Sequence, residues 1–392
     1  MRNHALILHF TEPHWRIRRA LIWSPNRLVI PIIKAVAQAT PTYTMSCFKI
    51  LDSLCTDLNS MMSKFWWGQK DREKKLAWVS WEKLCTPKSE GGMGFRDLKA
   101  FNLALLAKQG WRIMRNPHSL VHKVFKAKYF MDSPFEEAQL GRRPSYAWRS
   151  IVAAKQVIDR GSRWCIRNGA SVSIWKDRWI PKLESFKATS PHAVHQNEER
   201  VSSLLDVANR CWDVAKVRAM FLPHEAVAVL SIPISFRLPE DSMSWAWSSN
   251  GKFSVKSAYL VAQKWLKEGK GRTDGGSSSN NSSMKAIWKL TWHINCLNKI
   301  KHFFWRACKN ILSTKLKLKD KGIGSDDRCE FCDQSKSSGH ALWSCKTAEE
   351  VWSNTKLKLP FFQDPPRDFI DIVWAIYDTH PGINWELFAV TA

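Results

Sequence analysis

The sequence lacks any apolar run long enough to span a bilayer. Its most apolar stretch, Leu28–Ala39, is broken by Pro31 and Lys34. No secretory signal is present either, since Ala5–Phe10 is too short an apolar segment. The ten cysteines show no disulfide-like rhythm. A reducing compartment, nuclear or cytoplasmic, is therefore expected, where a cysteine cluster means metal or nothing. Acids are also scarce: 35 Asp and Glu stand against 60 Lys and Arg.

Catalytic constellations are missing too. The loop Glu90-Gly91-Gly92-Met93-Gly94 lacks the Gly-Lys-Ser/Thr ending of a phosphate loop. Asp326-Asp327 is the one adjacent Asp pair, but no third carboxylate accompanies it on a strand, so a solvated turn is the expected reading. No Ser/His/Asp or Cys/His set stands out. A small-molecule substrate and a membrane partner are both unexpected.

What the chain has in excess is positive charge and tryptophan. The formal net charge is +25, with a pI of about 9.8. Residues 1–150 hold 25 Lys/Arg against 11 Asp/Glu, and residues 284–359 hold 15 against 7. Such a field attracts polyanions, and RNA or DNA is the expected partner. The 22 tryptophans argue against general disorder. They sit mostly in apolar periodic contexts and read as core rather than as base-stacking platforms. At 392 residues the chain has room for two or three domains.

The pattern is mostly helical. One face of residues 50–67 carries Leu51, Leu54, Leu58, Met61, Met62 and Phe65. Residues 68–75 form a charged turn. Asp97 precedes a helix over Leu98–Arg115 that is apolar on most sides and stops before Pro117. Further helices are predicted at Val121–Phe130, Ser145–Arg160 and Lys256–Lys267. Two Asn-Gly pairs, Asn168-Gly169 and Asn250-Gly251, read as hairpin turns between alternating strands. The first would join 163–166 to 172–175, and the second 245–247 to 253–255. Residues 268–283 read as a flexible linker. After it come Ala286–Trp292, Asn298–Lys309, a short helix over Thr314–Lys321 closed by Gly322, and a helix around Thr347–Trp352.

Two sets of side chains carry chemistry. Cys329, Cys332, His340 and Cys345 read C-x2-C-x7-H-x4-C, a spacing suited to one tetrahedral zinc. Four protein ligands would close the shell and make the metal structural. Lys299, His302, Arg306 and Lys309 form a basic stripe that could track a phosphate backbone or be a solvated helix face.

The chain resembles the downstream part of plant LINE-type (non-LTR) retrotransposon reverse-transcriptase polyproteins. Residues 253–352 look like that family's reverse-transcriptase zinc-binding domain. The matching pieces include Phe253-Ser254-Val255-Lys256-Ser257-Ala258-Tyr259, Lys299-Ile300-Lys301-His302-Phe303-Phe304-Trp305-Arg306 and the Cys/His set. Upstream, Phe65-Trp66-Trp67-Gly68, Gly91-Gly92-Met93-Gly94-Phe95-Arg96 and Ile174-Trp175-Lys176-Asp177-Arg178-Trp179 look like the segment after the polymerase palm.

The departures matter as much. The family's aromatic-x-Asp-Asp polymerase motif is absent, Asp326-Asp327 lies in the wrong module, and ribonuclease H carboxylates are not found. Ser313 replaces a Pro common in the family, and an acidic residue often found before the His is missing. The resemblance implies a mainly α fold with small β-hairpins. Its parts would be a divergent segment 1–32, a helical thumb- or connection-like region 33–160 and a hairpin-containing connector 161–252. A small helical zinc-binding module 253–352, with a flexible insert at 268–283, and a truncated tail 353–392 would follow. The expected role is a non-catalytic polyprotein fragment with structural zinc and weak, sequence-tolerant RNA or DNA binding. A residual polymerase or ribonuclease H enzyme and a zinc-scaffolded protein-interaction module are the alternatives.

Overall fold

The computed structural model of the chain describes residues 25–69, 75–181, 183, 185–191, 199–206, 209–235, 237–269, 280–357, 359–360, 362 and 366–392. The start of the divergent N-terminal segment, most of the charged turn 68–75 and the middle of the linker 268–283 lie outside these residues.

In chain order the helices begin with α1 (Pro25–Ile32), α2 (Thr42–Cys47), α3 (Asp52–Trp66) and α4 (Trp81–Leu84). Next come α5 (Leu98–Arg115), α6 (Leu120–Tyr129), α7 (Tyr146–Ala153), α8 (Lys155–Gly161), α9 (Val214–Met220) and α10 (Pro223–Leu230). The last are α11 (Val255–Glu268), α12 (Asn280–His293), α13 (Asn298–Cys308), α14 (Lys315–Asp320), α15 (Lys346–Ser353), α16 (Phe369–Thr379) and α17 (Trp385–Thr391). The strands are β1 (Ser162–Cys165), β2 (Leu205–Asp206), β3 (Cys211–Trp212) and β4 (Ser242–Trp245). The fold is mainly α with small antiparallel β elements.

The chain divides into two compact units. One comprises residues 1–40, 53–97 and 274–392, the other residues 41–52 and 98–273.

In the second unit, α5 is the central helix. Its middle turns are buried from Ala100 to Ala107, as expected for a helix apolar on most sides. Packed against it are α2, α7, α8 and α11. Asn102 is the polar exception on its buried surface. Its amide donates to the carbonyls of Met45 (2.7 Å) and Phe48 (2.9 Å) and accepts from the Ile50 amide (2.8 Å), which fixes the segment leading out of α2.

Most of the described tryptophans are buried or half-buried, Trp247 being exposed. Trp148, Trp179, Trp245 and Trp305 are fully buried. Each of these four indole N–H groups finds an acceptor: the carbonyls of Gln139, Ile174 and Gly91 for Trp148, Trp179 and Trp305, and the Ser257 hydroxyl for Trp245. Trp245 packs so closely on α8 that a Cβ at Gly161 would fall 2.0 Å from its ring. No larger residue fits at Gly161.

The two Asn-Gly turns form, but not as hairpins. Gly169 and Gly251 have φ of +67° and +68°. Strand β1 pairs with β4, from Ser162↔Trp245 to Cys165↔Ser242, and not with residues 172–175. The arm 172–175 instead bridges residues 199–201, with Ile174 N–H donating to Glu199 and Val201 N–H to Val172. After Asn250-Gly251 the chain enters α11 through the Ser254 N-cap. Long-range pairing wins because it buries Trp245 against Gly161. The local hairpin is β2–β3, between 205–206 and 211–212. The predicted helix Ser145–Arg160 is interrupted at Ala154, which separates α7 from α8.

A second core in this unit gathers Trp175, Trp179, Trp212, Val217, Phe221 and Val229. Beside it Glu225 is fully buried. Its carboxylate accepts from the Thr189 amide and hydroxyl, each at 2.6 Å, and from the Ser190 amide and hydroxyl. Burial opposes its charge, but the bonds from Ser190 and Thr189 more than offset this and hold its pKa below the ordinary 4.5. A depressed carboxyl pKa contributes stability above the unfolded value and loses it as pH falls through the folded one. Glu225→Gln should therefore cost about 2–3 kcal/mol at pH 7. Urea titration should show the gap to the wild type closing as pH drops well below 4.5; a gap independent of pH would contradict the assignment.

Candidate metal centre and basic cluster

The four expected zinc ligands converge in the first unit. Their donor atoms all lie within 4.8 Å of one another. Cys329 Sγ and Cys345 Sγ are 3.7 Å apart, and Cys332 Sγ is 3.2 Å from His340 Nε2. A tetrahedron with metal–sulfur bonds of about 2.3 Å has S···S edges of roughly 3.8 Å. The donor set and its spacing thus fit one zinc ion.

Local structure explains the convergence. Cys329 and Cys332 flank a tight knuckle in which the Cys329 amide donates to Gln334 O (2.8 Å) and the Asp333 amide to Cys329 O (3.0 Å). The bridge Arg328↔Ser335 closes its base. His340 opens a π-helical turn, His340–Ser344, and Cys345 is the N-cap of α15. The His340 amide donates to Ser337 Oγ (3.1 Å). Gly339 donates to Arg367 O (2.9 Å), where a Cβ on Gly339 would lie 2.2 Å from Pro366 O. Residues 366–369 therefore lock the turn that presents His340.

The ring orientation is set from behind. Nε2 faces Cys332, and Nδ1 lies 3.4 Å from Ser344 Oγ. Burial and nearby Lys336 hold the His340 pKa below the ordinary 6.5, so the imidazole is neutral and able to ligate. Burial disfavours the Cys345 thiolate, but the Thr347 hydroxyl and amide, together with Cys329 and Cys332, outweigh it and lower that thiol's pKa. Cys329, Cys345 and His340 are buried and Cys332 is half-buried. With four protein donors no coordination position is left for substrate, so the ion would be structural.

The Asp326-Asp327 pair lies beside this centre as two separate ion pairs. Asp326 pairs with Lys315 (3.2 Å) and Asp327 with Lys319 (2.5 Å). Glu330 pairs with Lys315 and Lys336, and Arg328 with Asp333. The zinc lobe is close to self-neutralised.

The stripe on α13 is placed differently from a solvated face. Lys299 is exposed, whereas His302, Arg306 and Lys309 are half-buried. His302 packs between Trp66 (6.3 Å) and Trp292 (5.6 Å). Lys309 Nζ lies 4.5 Å from the Trp288 ring centroid, and Arg306 Nε is buried with no hydrogen-bond partner. Three further lysines join them, Lys301 from α13 itself and Lys34 and Lys88 from elsewhere in the sequence, and the stripe pattern did not include these. Lys88 caps the Trp292 ring at 4.0 Å, Lys34 donates to Met93 O (2.8 Å), and Lys301 donates to Trp292 O (3.3 Å). Burial lowers the pKa values of Lys34, Lys88 and Lys309, and lysine neighbours (Lys88, Lys301 and Lys83 in turn) add to it. None of Lys34, Lys88, Lys301, Arg306 and Lys309 forms an ion pair among the described residues. Only their convergence in space reveals the cluster; Lys34 and Lys88 lie more than 200 residues from α13 in sequence.

Residues 253–352 match the family described as zinc-binding in reverse transcriptase. The chain is 46% identical over 143 residues to an uncharacterized mitochondrial protein of Arabidopsis thaliana, covering 93% of that protein and 36% of this chain. It is 25% identical over 328 residues to a putative ribonuclease H protein of the same plant, covering 82% of this chain and 51% of that protein. The chain thus spans about half the length of this second relative. No described helix is long and apolar enough to cross a membrane.

Two measurements test this region. The purified chain should carry one zinc by elemental analysis, and the Cys329→Ser/Cys332→Ser variant none, with a lower melting temperature. Ser344→Ala should weaken zinc affinity roughly ten-fold in a chelator competition, because Nδ1 loses its partner. Separately, burial and Lys88 lower the His302 pKa from 6.5 to about 4. The unfolded chain takes up that proton below about 6.5 and the folded chain only near 4. Stability is therefore full above pH 6.5 and falls as pH drops toward 4. His302→Gln should flatten this limb of the stability curve, and an unchanged slope would place the ring in solvent.

Proposed function

Because the chain belongs to the plant retrotransposon reverse-transcriptase family that carries this zinc-binding domain, we propose that it is a non-catalytic, zinc-organised module that binds RNA or DNA with little sequence preference. The ligands of the structural zinc are Cys329, Cys332, His340 and Cys345. Phosphates are bound by the cluster around α13, with Lys299, Arg306 and Lys309 joined by Lys88 and Lys301. His302 acts as a neutral aromatic spacer.

One observation carries this reading. Half-buried Lys34, Lys301, Arg306 and Lys309 and the exposed Lys88 converge on a tryptophan-lined surface without a single ion pair among the described residues. Like charges held together cost free energy unless an anion offsets them. Phosphate contacts supply the main affinity term of sequence-tolerant binders. The ion-paired Asp326 and Asp327 are poorly arranged to hold a catalytic metal, which weighs against an enzyme. A protein-interaction role has one feature in its favour: Phe331 at the knuckle tip is 65% exposed and Ile323 58% exposed. A partner complex that survives nuclease treatment would favour that role.

The test is oligonucleotide binding by fluorescence anisotropy from 50 to 200 mM salt. Affinity should fall steeply, and Lys88→Gln and Lys309→Gln should each lower the log–log slope by about 0.7, the loss of one single-strand phosphate contact. The same preparation with magnesium should neither extend a primer nor cleave the strand. Salt-insensitive binding, or magnesium-dependent chemistry abolished by Asp326→Asn/Asp327→Asn, would overturn the proposal.

A further inference from the structure

A separate feature lies within the second unit. A cavity of about 300 Å³ opens where the last turns of α5 meet the turn between β4 and α11. Its rim carries Lys108, Arg112, Arg115 and Lys252, and its floor Trp111 and Phe253. No carboxylate lines it. None of the four cations forms an ion pair among the described residues.

The floor is rigidly built. Trp111 stacks on Phe253 at 5.6 Å and meets Trp245 edge-on at 5.6 Å, while Trp245 and Phe253 lie 4.5 Å apart. This aromatic trio holds the turn against α5. The turn itself needs Gly251, whose φ is +68°, and Lys252 follows directly. Arg115 is anchored by one bond to Met243 O (3.2 Å), which leaves its other N–H groups for a ligand. Lys108, Arg112 and Arg115 follow i, i+4, i+7 spacing, so they share one helix face.

A helix C-terminus favours cations in its last turn, which accounts for Arg112 and Arg115. It does not account for Lys252, delivered by another element, nor for a cavity between them. Four like charges around an aromatic-floored hollow call for an anion with an attached planar group. A phosphodiester with its base has that form, and the volume is at the lower end of that of ligand pockets.

We propose that this cavity is a single-nucleotide site that grips one phosphodiester of a single-stranded RNA or DNA. Arg112, Arg115, Lys108 and Lys252 would hold the phosphate, and the base would lie against Trp111 and Phe253. The proposal rests on the nucleic-acid reading above and adds a second contact point to it.

The test uses the full chain and a labelled single-stranded 12-mer, read by anisotropy at 50 mM salt. The variant Arg112→Gln/Lys252→Gln should bind roughly ten-fold more weakly, with a salt slope lower by about 1.4. The control Lys123→Gln/Lys126→Gln removes the same charge from exposed positions on α6 and should change affinity less than about two-fold. Circular dichroism should be unaltered in both, because all four positions are exposed. Inorganic phosphate added at constant ionic strength separates the two sources of the anion. Displacement of the 12-mer only at tens of millimolar marks a polynucleotide site, and displacement below one millimolar marks a free-phosphate site and overturns the assignment. Equal losses in the variant and the control would reduce the cavity to diffuse surface charge. Loss with Lys88→Gln/Lys309→Gln but not with Arg112→Gln/Lys252→Gln would sink this inference and leave the first reading standing. No binding by the wild type would sink both.

Discussion

Helix α13 can bury Phe304 and Trp305 only if an acceptor reaches the Trp305 indole N–H inside the core. The Gly91 carbonyl does so at 3.0 Å. The cost of leaving that donor unmet would be about 1–3 kcal/mol, a sizeable part of the net stability of a domain. To present the carbonyl, the chain at Gly91 takes a φ of +78°, and a Cβ there would fall 2.4 Å from Lys309 Nζ and 2.7 Å from the Trp288 ring. The glycine loop is therefore a seat for α12 and α13, with its shape dictated by what sits on it. The far side of α13 continues the dependence. Phe304 packs edge-on against Phe369 of α16 and Phe388 of α17. The approach to α16 holds Gly339 through Arg367, and Gly339 precedes His340. The position of an expected zinc ligand thus traces back, through two aromatic contacts, to one backbone carbonyl.

This chain of supports separates two roles that the sequence places close together. In the zinc lobe, Lys315, Lys319, Arg328 and Lys336 each have a carboxylate partner. Exposed pairs of this kind add little stability, because water and salt screen them. Their larger effect is to cancel the local field. Around α13 the cations are held against indole rings and backbone carbonyls, which satisfy geometry but leave charge uncompensated. The metal would therefore organise the lobe, while the available charge lies elsewhere in the same unit.

Much of this was legible because it is local. The helix over Leu98–Arg115 follows from an apolar pattern that ends at Pro117, and the structure has the same bounds. The Cys/His spacing gave a ligand set whose donors do meet. The Asn-Gly turns were legible as turns, since only a left-handed backbone explains Gly169 and Gly251. Their strand partners were not, because alternation marks which face of a strand is buried and says nothing about which strand lies beside it. The α13 stripe was legible as a helix face, but whether that face meets solvent or Trp66 and Trp292 is settled by packing outside the helix, in part by a residue more than 200 positions away. Residues 353–392 read as a tail for a related reason. Their apolar residues Phe369, Ile372, Val373 and Phe388 are fully buried, but against α13 and its neighbours, which no window of local sequence includes.

The same reasoning bears on what counts as a domain here. The matched family spans residues 253–352 as one stretch of sequence. Physically the stretch is divided. Helix α11 turns Ala258, Val261 and Ala262 into the core that α5 dominates, whereas α12 to α15 belong with residues 53–97 and 366–392. Neither part buries its apolar face using the matched residues alone. Trp305 needs Gly91, Phe304 needs Phe369 and Phe388, and the α11 face needs α5. A stretch matched as one sequence unit is thus divided between two folding units. The support of His340 then runs, through Gly339, α16 and α13, to a glycine loop some 250 residues upstream of the histidine it helps to place.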